Sequence, residues 1–280
     1  MNEAAPNGPG RGEFSGRDAA TSLRTLARPG VAWVVLGLCL LVTAIAWRVA
    51  MLQLRQRDYE RFRRHMERVN LAIENRVDGC EQLLKGAAGL FAASQSVERR
   101  EWREFVRALG REDHHGIRAL GFIEDVAATR AASFVASNRL DGAPEFSIHS
   151  TDKDSSRSNY YVVKFVEPSQ RNSTVLGYDI ASDQRRRQAA ELARDTGNAV
   201  LTSRIKLIQG DEDQPAVLLL LPVYRPGAGK ETVEQRRAAI VGWVYAAIIV
   251  RELMSGLLEG RDPEIDFEVF DGTIDRKSVV

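Results

Sequence analysis

Leu176–Val200 reads LGYDIASDQRRRQAAELARDTGNAV. It joins a β-branched, aromatic-containing run with one acid, Asp179, to a stretch of helix formers. Ser182 or Asp183 is placed to cap that helix and Gly197 to end it with a left-handed residue, which predicts a helix over Asp183–Asp195. The run before it, TVLGYDI (174–180), predicts a strand. Strand-like runs lie on both sides: EFSIHS (145–150), YYVVKFVEP (160–168), AVLTSRIKLI (199–208) and AVLLLLPVYR (216–225). Val217–Val223 is apolar at successive positions, as a central strand covered on both faces should be. Ile117–Val126, Ala238–Val250 and Ile265–Phe270 are further strands. EWREFVRAL (101–109), Ala128–Leu140 and Arg251–Gly260 are short helices, and GAGKETVEQRR (227–237) is a polar connector. The order is mixed, without regular βαβ alternation, which predicts an α+β fold.

The composition narrows the class of partner. A net charge of +1 across 280 residues gives no reason to expect nucleic acid. The two cysteines, Cys39 and Cys80, exclude a disulfide framework or a paired-cysteine metal site. Glu112-Asp113-His114-His115 offers metal-ligating types, but acids and histidines on a turn commonly face solvent, and no metal is expected. No cofactor motif stands out. GPGRG at Gly8–Gly12 lacks the preceding strand that a phosphate loop needs.

Residues 1–30 are rich in Gly, Pro, Ala and Arg and are expected to be disordered. The next run, VAWVVLGLCLLVTAIAW, carries no charge, and Trp33 and Trp47 flank it where interfacial indoles belong. Arg48 can snorkel, so the predicted membrane helix extends over residues 31–52. Ala44-Ile45-Ala46 also fits a signal-peptidase site, which leaves cleavage as an alternative. Basic residues are denser after the span than before it, which by charge alone favours a cytoplasmic main domain. From Leu54 to Ser94, helix formers dominate. Phe62, Met66, Val69, Ile73, Val77, Cys80, Leu84, Ala87 and Phe91 follow a heptad-like stripe. That stripe fits a helix packed on its own domain and a dimerising stalk alike.

Four blocks, in order, resemble the CHASE domain: NYYVVKFVEPSQRN (159–172), LGYDIASDQRRRQAAELARDTGNAVLTSRIKL (176–207), LLLLPVYR (218–225) and VEQRRAAIVGWVYAAI (233–248). CHASE is the extracytoplasmic sensory domain of bacterial histidine kinases and cyclases and of plant cytokinin receptors. The resemblance implies a membrane helix, a stalk helix over 53–95 that favours a homodimer, and two PAS-like modules. These are expected at 96–222 (distal) and 223–280 (membrane-proximal, incomplete). It also implies a periplasmic location on a cell-membrane anchor, against the arginine count, and a small-molecule ligand without catalysis in this part of the chain. A kinase or cyclase output is expected downstream of residue 280.

The resemblance matches Asp179 to a ligand-binding strand acid and Leu201 to an apolar pocket residue. Strand alternation then adds Ser203 and Ile205 to the same face as Leu201, with Tyr161 and Phe165 as further lining. Gly177 leaves space beside the acid. A mostly apolar cavity with one carboxylate suits a small molecule. Val162 or Val163, the position near Leu220, and Arg204 depart from the plant pattern, so the ligand is not expected to be a cytokinin. Two other roles for Asp179 stay open: a helix-capping carboxylate, and, with a second carboxylate, the acid of an anchored or secreted hydrolase.

Overall fold

The computed structural model describes residues 29–110, 116–151, 157–207 and 214–255. The proposed N-terminal tail, the Glu112–His115 cluster and the strand expected at Ile265–Phe270 lie outside the described residues. The chain forms two compact units, Met1–Arg68 and Val69–Val280. Helix α1, Pro29–Ala93, carries residues of both.

In the first unit, Gly30–Gln53 is a 24-residue helical stretch with none of it buried, and an 18-residue window within it has a mean hydropathy of 2.3. At about 1.5 Å per residue it is long enough to cross a hydrocarbon core of roughly 30 Å. Thr43, the hydroxyl within the run, donates back to the Cys39 carbonyl at 2.8 Å, so the apolar surface carries no unsatisfied hydroxyl proton there.

The second unit is built on a five-stranded antiparallel sheet: β1 (Ile117–Ala127), β2 (Asn159–Glu167), β3 (Val200–Leu201), β4 (Ala216–Tyr224) and β5 (Ile240–Ile249). Their spatial order is β2-β1-β5-β4-β3. Helices α2 (Arg99–Ala108), α3 (Ala131–Leu140), α4 (Ser169–Asn172), α5 (Gln184–Thr196), α6 (Val233–Ala239) and α7 (Val250–Met254) complete it. The mixed α+β class predicted from the run order is what folds.

The alternation of β4 and β5 gives the sheet two apolar faces. Leu218, Leu220, Trp243, Tyr245 and Ala247 point to one, where Ala189, Ala190 and Ala193 of α5 cover them. Leu219, Leu221, Val244, Ala246 and Ile248 point to the other, where Cys80, Leu84 and Ala87 of α1 and Trp102 and Val106 of α2 pack. The LLLL run is therefore covered on both faces, as read. The C-terminal part of the heptad-like stripe is also accounted for, because Cys80, Leu84 and Ala87 are buried against the domain's own sheet and Phe91 stacks on Phe122 at 4.0 Å.

Two expectations are corrected here. A module boundary at 222/223 would fall inside β4, and β5 lies at the centre of the same sheet, between β1 and β4. The connector at 227–237 resembles a domain linker only because it is polar. In the structure it is a turn followed by α6, with a Thr232–Gln235 capping box. The runs TVLGYDI and EFSIHS are not strands either. They meet through one isolated bridge, His149 with Tyr178, and a second bridge ties Asp179 to Val162 of β2.

Candidate functional site

The segment between α4 and α5 lies along the outer edge of β2. The Val163 amide donates to the Tyr178 carbonyl at 3.0 Å, and the Gly177 amide donates to the Val163 carbonyl at 2.8 Å. One step further the backbone turns away, and the Asp179 side chain takes over the pairing. Its Oδ1 accepts from the Tyr161 amide at 2.9 Å and from the Ala181 amide at 3.1 Å. Its Oδ2 lies 2.8 Å from Arg157 Nη1, an ionic contact without hydrogen-bond angles. Asp179 is 0% exposed. It caps the one-turn helix Ile180–Ser182, the second of the three roles left open. Its charged partner is Arg157, not a second carboxylate. Gly177 adopts φ +85, and a Cβ there would sit 2.0 Å from the Ser147 carbonyl oxygen. Its missing side chain therefore admits the neighbouring backbone, not a ligand.

The other expected site residues separate. Tyr161 is buried on the α5 face, its ring 4.6 Å from that of Trp243 and its hydroxyl 3.4 Å from Arg194. Burial pushes its phenol up to about 12. Phe165 is on the opposite face, 5.9 Å from the Trp102 ring. The cause is a β-bulge. Phe122 pairs with Phe165 and Ile123 with Val163, so Lys164 is an extra residue and the alternation reverses across it. Arg99 Nη1 holds the bulge by donating to the Lys164 carbonyl at 3.0 Å.

Parity fails on the last run as well. Leu201 is 45% exposed, and the neighbouring Thr202 is buried, its hydroxyl accepting from the Leu218 amide at 3.0 Å. Regular pairing stops there, and Ile205 rejoins β4 by a single bridge to Ala216. Ile205 lines a cavity, whereas Ser203 lies in the groove outside it.

That cavity lies on the α5 face. Its walls include Ala119, Ile123, Val163, Ile205, Leu218 and Ala247, and its free volume is about 40 Å³. Tyr178, Ile205, Leu207 and Arg186 also border the groove, so they form the mouth.

Two of the polar side chains on its wall carry buried atoms without a partner among the described residues. Arg186 is 5% exposed; its Nη2 donates to the Lys206 carbonyl at 2.7 Å and its guanidinium lies 5.4 Å from the Tyr178 ring centroid. Its Nε has no partner among the described residues. Tyr245 is 3% exposed, and its hydroxyl is likewise without one. Burial raises the Tyr245 phenol above its ordinary value, and the nearby Arg186 charge works against that rise. The tyrosine is therefore a neutral donor at physiological pH.

Neither residue was singled out from the sequence. The signal for Arg186 was present, since it shares a helical stripe with Ala189, Ala190 and Ala193. Nothing local marks Tyr245. Its ring is seated over Gly121, where a Cβ would come within 2.4 Å of it.

Among known families, the CHASE domain model matches residues 95–280. The chain belongs to the CHASE domain family. It is also 32% identical over 122 residues to hybrid signal transduction histidine kinase A of Dictyostelium discoideum, a match covering 41% of this chain and 6% of that protein. A CHASE domain is a sensory module of signalling proteins. The sheet, the cavity and Asp179 all fall within the matched CHASE residues.

Proposed function

We propose that this chain is the sensing region of a membrane-anchored receptor whose CHASE domain lies outside the cytoplasm and binds a small molecule in the cavity beside α5. The observation that carries the proposal is a mostly apolar cavity closed by two buried side chains, Arg186 and Tyr245, each with a polar atom that has no partner among the described residues. Buried polar groups are otherwise almost always satisfied, and an exception calls for an explanation such as an occupant. The five antiparallel strands support a PAS-like module that continues through β5. The N-terminal apolar helix is the anchor, and the helix that follows it is the stalk and the contact of a homodimer. Chemistry belongs to an output region such as the kinase part of the Dictyostelium relative. The hydrolase alternative is not favoured, because Asp179 is buried and ion-paired.

The mechanism is differential binding: a ligand moves the dimer between two arrangements only by the difference in its affinity for them. Occupancy acts on one sheet face, and α1 packs on the other.

Two measurements test the reading. Alkaline phosphatase fused after residue 100 should be active on the outer side of the membrane, and activity confined to cytoplasmic fusions would reverse the topology. In a thermal-shift screen of the purified protein, at least one small molecule should raise the wild-type Tm. Ala247→Leu, which fills the cavity from β5, should lose that shift while keeping or raising the unliganded Tm. If every hit shifts the Ala247→Leu protein as much as wild type, the cavity is not the site.

A further inference from the structure

Arg186 carries a charge that the described protein leaves unanswered. The guanidinium is buried, yet no carboxylate among the described residues lies within the 4.0 Å of an ion pair. The nearest acid in sequence, Asp183, is engaged elsewhere, its Oδ1 accepting from the Arg186 backbone amide at 3.0 Å. Arg186 also stands in the first turn of α5, the end where the helix dipole disfavours a cation. Such a charge is costly unless it is paired and hydrogen-bonded. The Tyr178 ring offsets part of that cost by contact with the guanidinium. It does not use the Nε proton.

The unfilled donors define the missing partner. Arg186 Nε and the Tyr245 hydroxyl both belong to cavity-lining residues and both lack an acceptor among the described residues. Arg186 Nε and Nη2 lie on one edge of the guanidinium, the edge that pairs with both oxygens of a carboxylate. Nη2 at present donates to the Lys206 carbonyl, a bond that a bidentate ligand would share or replace. Two further polar residues reach the wall, and both are engaged: Arg118 lies 3.4 Å from Glu252, and Asn172 donates to the Pro168 carbonyl at 2.7 Å. The remainder is mostly apolar and includes the small residues Ala119 and Ala247. A free volume of about 40 Å³ is a few times the roughly 10–15 Å³ that holds one water, so the occupant is compact, a few heavy atoms in size.

We infer that the cavity takes a short-chain organic carboxylate, its anionic end held by Arg186 and Tyr245 and its apolar body against Ala119, Ile123, Leu218 and Ala247. The inference deepens the ligand-binding reading above and rests on it. It also separates this chain from a receptor that reads a neutral heterocycle through Asp179, because here that carboxylate is enclosed and paired.

The test titrates the purified full chain in detergent with sodium propionate, butyrate and pyruvate. Propionamide and propylamine serve as neutral and cationic isosteres, benzyladenine as a heterocycle and sodium chloride as a salt control. At least one of the three acids should bind in calorimetry and raise the Tm, with propionamide at least tenfold weaker. Tyr245→Phe should weaken the acid about tenfold, the scale of one lost hydrogen bond to a charged group. Arg186→Gln should abolish binding, and its unliganded Tm should stay the same or rise, because a buried unpaired charge is removed. Should Arg186→Gln fail to fold, Arg186→Lys keeps the charge without the fork and should still weaken binding at least tenfold. If none of the three acids binds, or if Arg186→Gln binds one as well as wild type, the carboxylate inference is overturned. The sensor reading fails separately, if a broad neutral and cationic library also gives no shift that Ala247→Leu removes.

Discussion

Asp179→Ala is expected to destabilise the protein by about 3–5 kcal/mol, the range for breaking a buried ion pair from one side. The carboxylate is fully enclosed. It satisfies the Tyr161 and Ala181 amides and lies against Arg157, whose side chain is 13% exposed. Truncation leaves two backbone donors and one guanidinium without their acceptor, each group costing more unpaired than it gained when paired. Asp179→Asn keeps an oxygen for the two amides but removes the charge facing Arg157, so its loss should be smaller, about 1.5–3 kcal/mol. A double-mutant cycle identifies the source of the cost. Adding Arg157→Met to Asp179→Ala should restore part of the loss, because the orphaned guanidinium is gone. Urea unfolding followed by tryptophan fluorescence reads wild type, Asp179→Ala, Asp179→Asn, Arg157→Met and the double variant. A loss below about 1 kcal/mol for Asp179→Ala would return the carboxylate to the ligand-binding role that the sequence resemblance gave it.

The contrast between Asp179 and Arg186 shows where sequence reading reaches in this chain. Local signals were sufficient wherever one element decides its own shape. Asp183 does cap α5, its side chain accepting from the Arg186 amide, and Gly197 does end the helix at φ +79. The apolar run of β4 does lie between two cores. Parity arguments failed where a strand changes step. The Lys164 bulge sends Phe165 to the α1 face, and the Thr202 hydroxyl takes a ladder bond that the strand itself would have made. Neither event has a reliable signature, since a bulge is defined by the partner strand. The module boundary failed for a related reason. β5 pairs with β1 across more than a hundred residues, as in Gly121 with Tyr245, and nothing near Trp243 announces a partner that far away. The candidate site forms at these long-range pairings. Tyr245 and Ala247 reach the cavity only because β5 is central, and Arg186 only because α5 packs its alanine stripe over them.

Trp102→Ala should match or exceed the loss at Asp179, about 3–5 kcal/mol, and should act on the opposite face of the sheet. Trp102 is 0% exposed and lies among three phenylalanine rings. Phe91 of α1 is at 5.9 Å, Phe105 of α2 at 6.0 Å and Phe165 of β2 at 5.9 Å. It therefore joins α1 to the strand whose bulge turned Phe165 toward it. Its indole Nε1 has no hydrogen-bond partner among the described residues, so the ring contributes through packing and not through its polar atom. Trp102→Phe, which keeps an aromatic ring and removes the unsatisfied N–H, should cost only about 1–2 kcal/mol. Hydrogen exchange adds the spatial test: Trp102→Ala should raise exchange at 80–91 of α1 well before it does so in β4 and β5. The same variant should leave affinity at the α5-face cavity within about threefold of wild type, since none of the three rings around Trp102 lines that cavity. Exchange that rises equally on both faces would mean that the two cores unfold as one unit, and that α1 does not respond separately from the cavity.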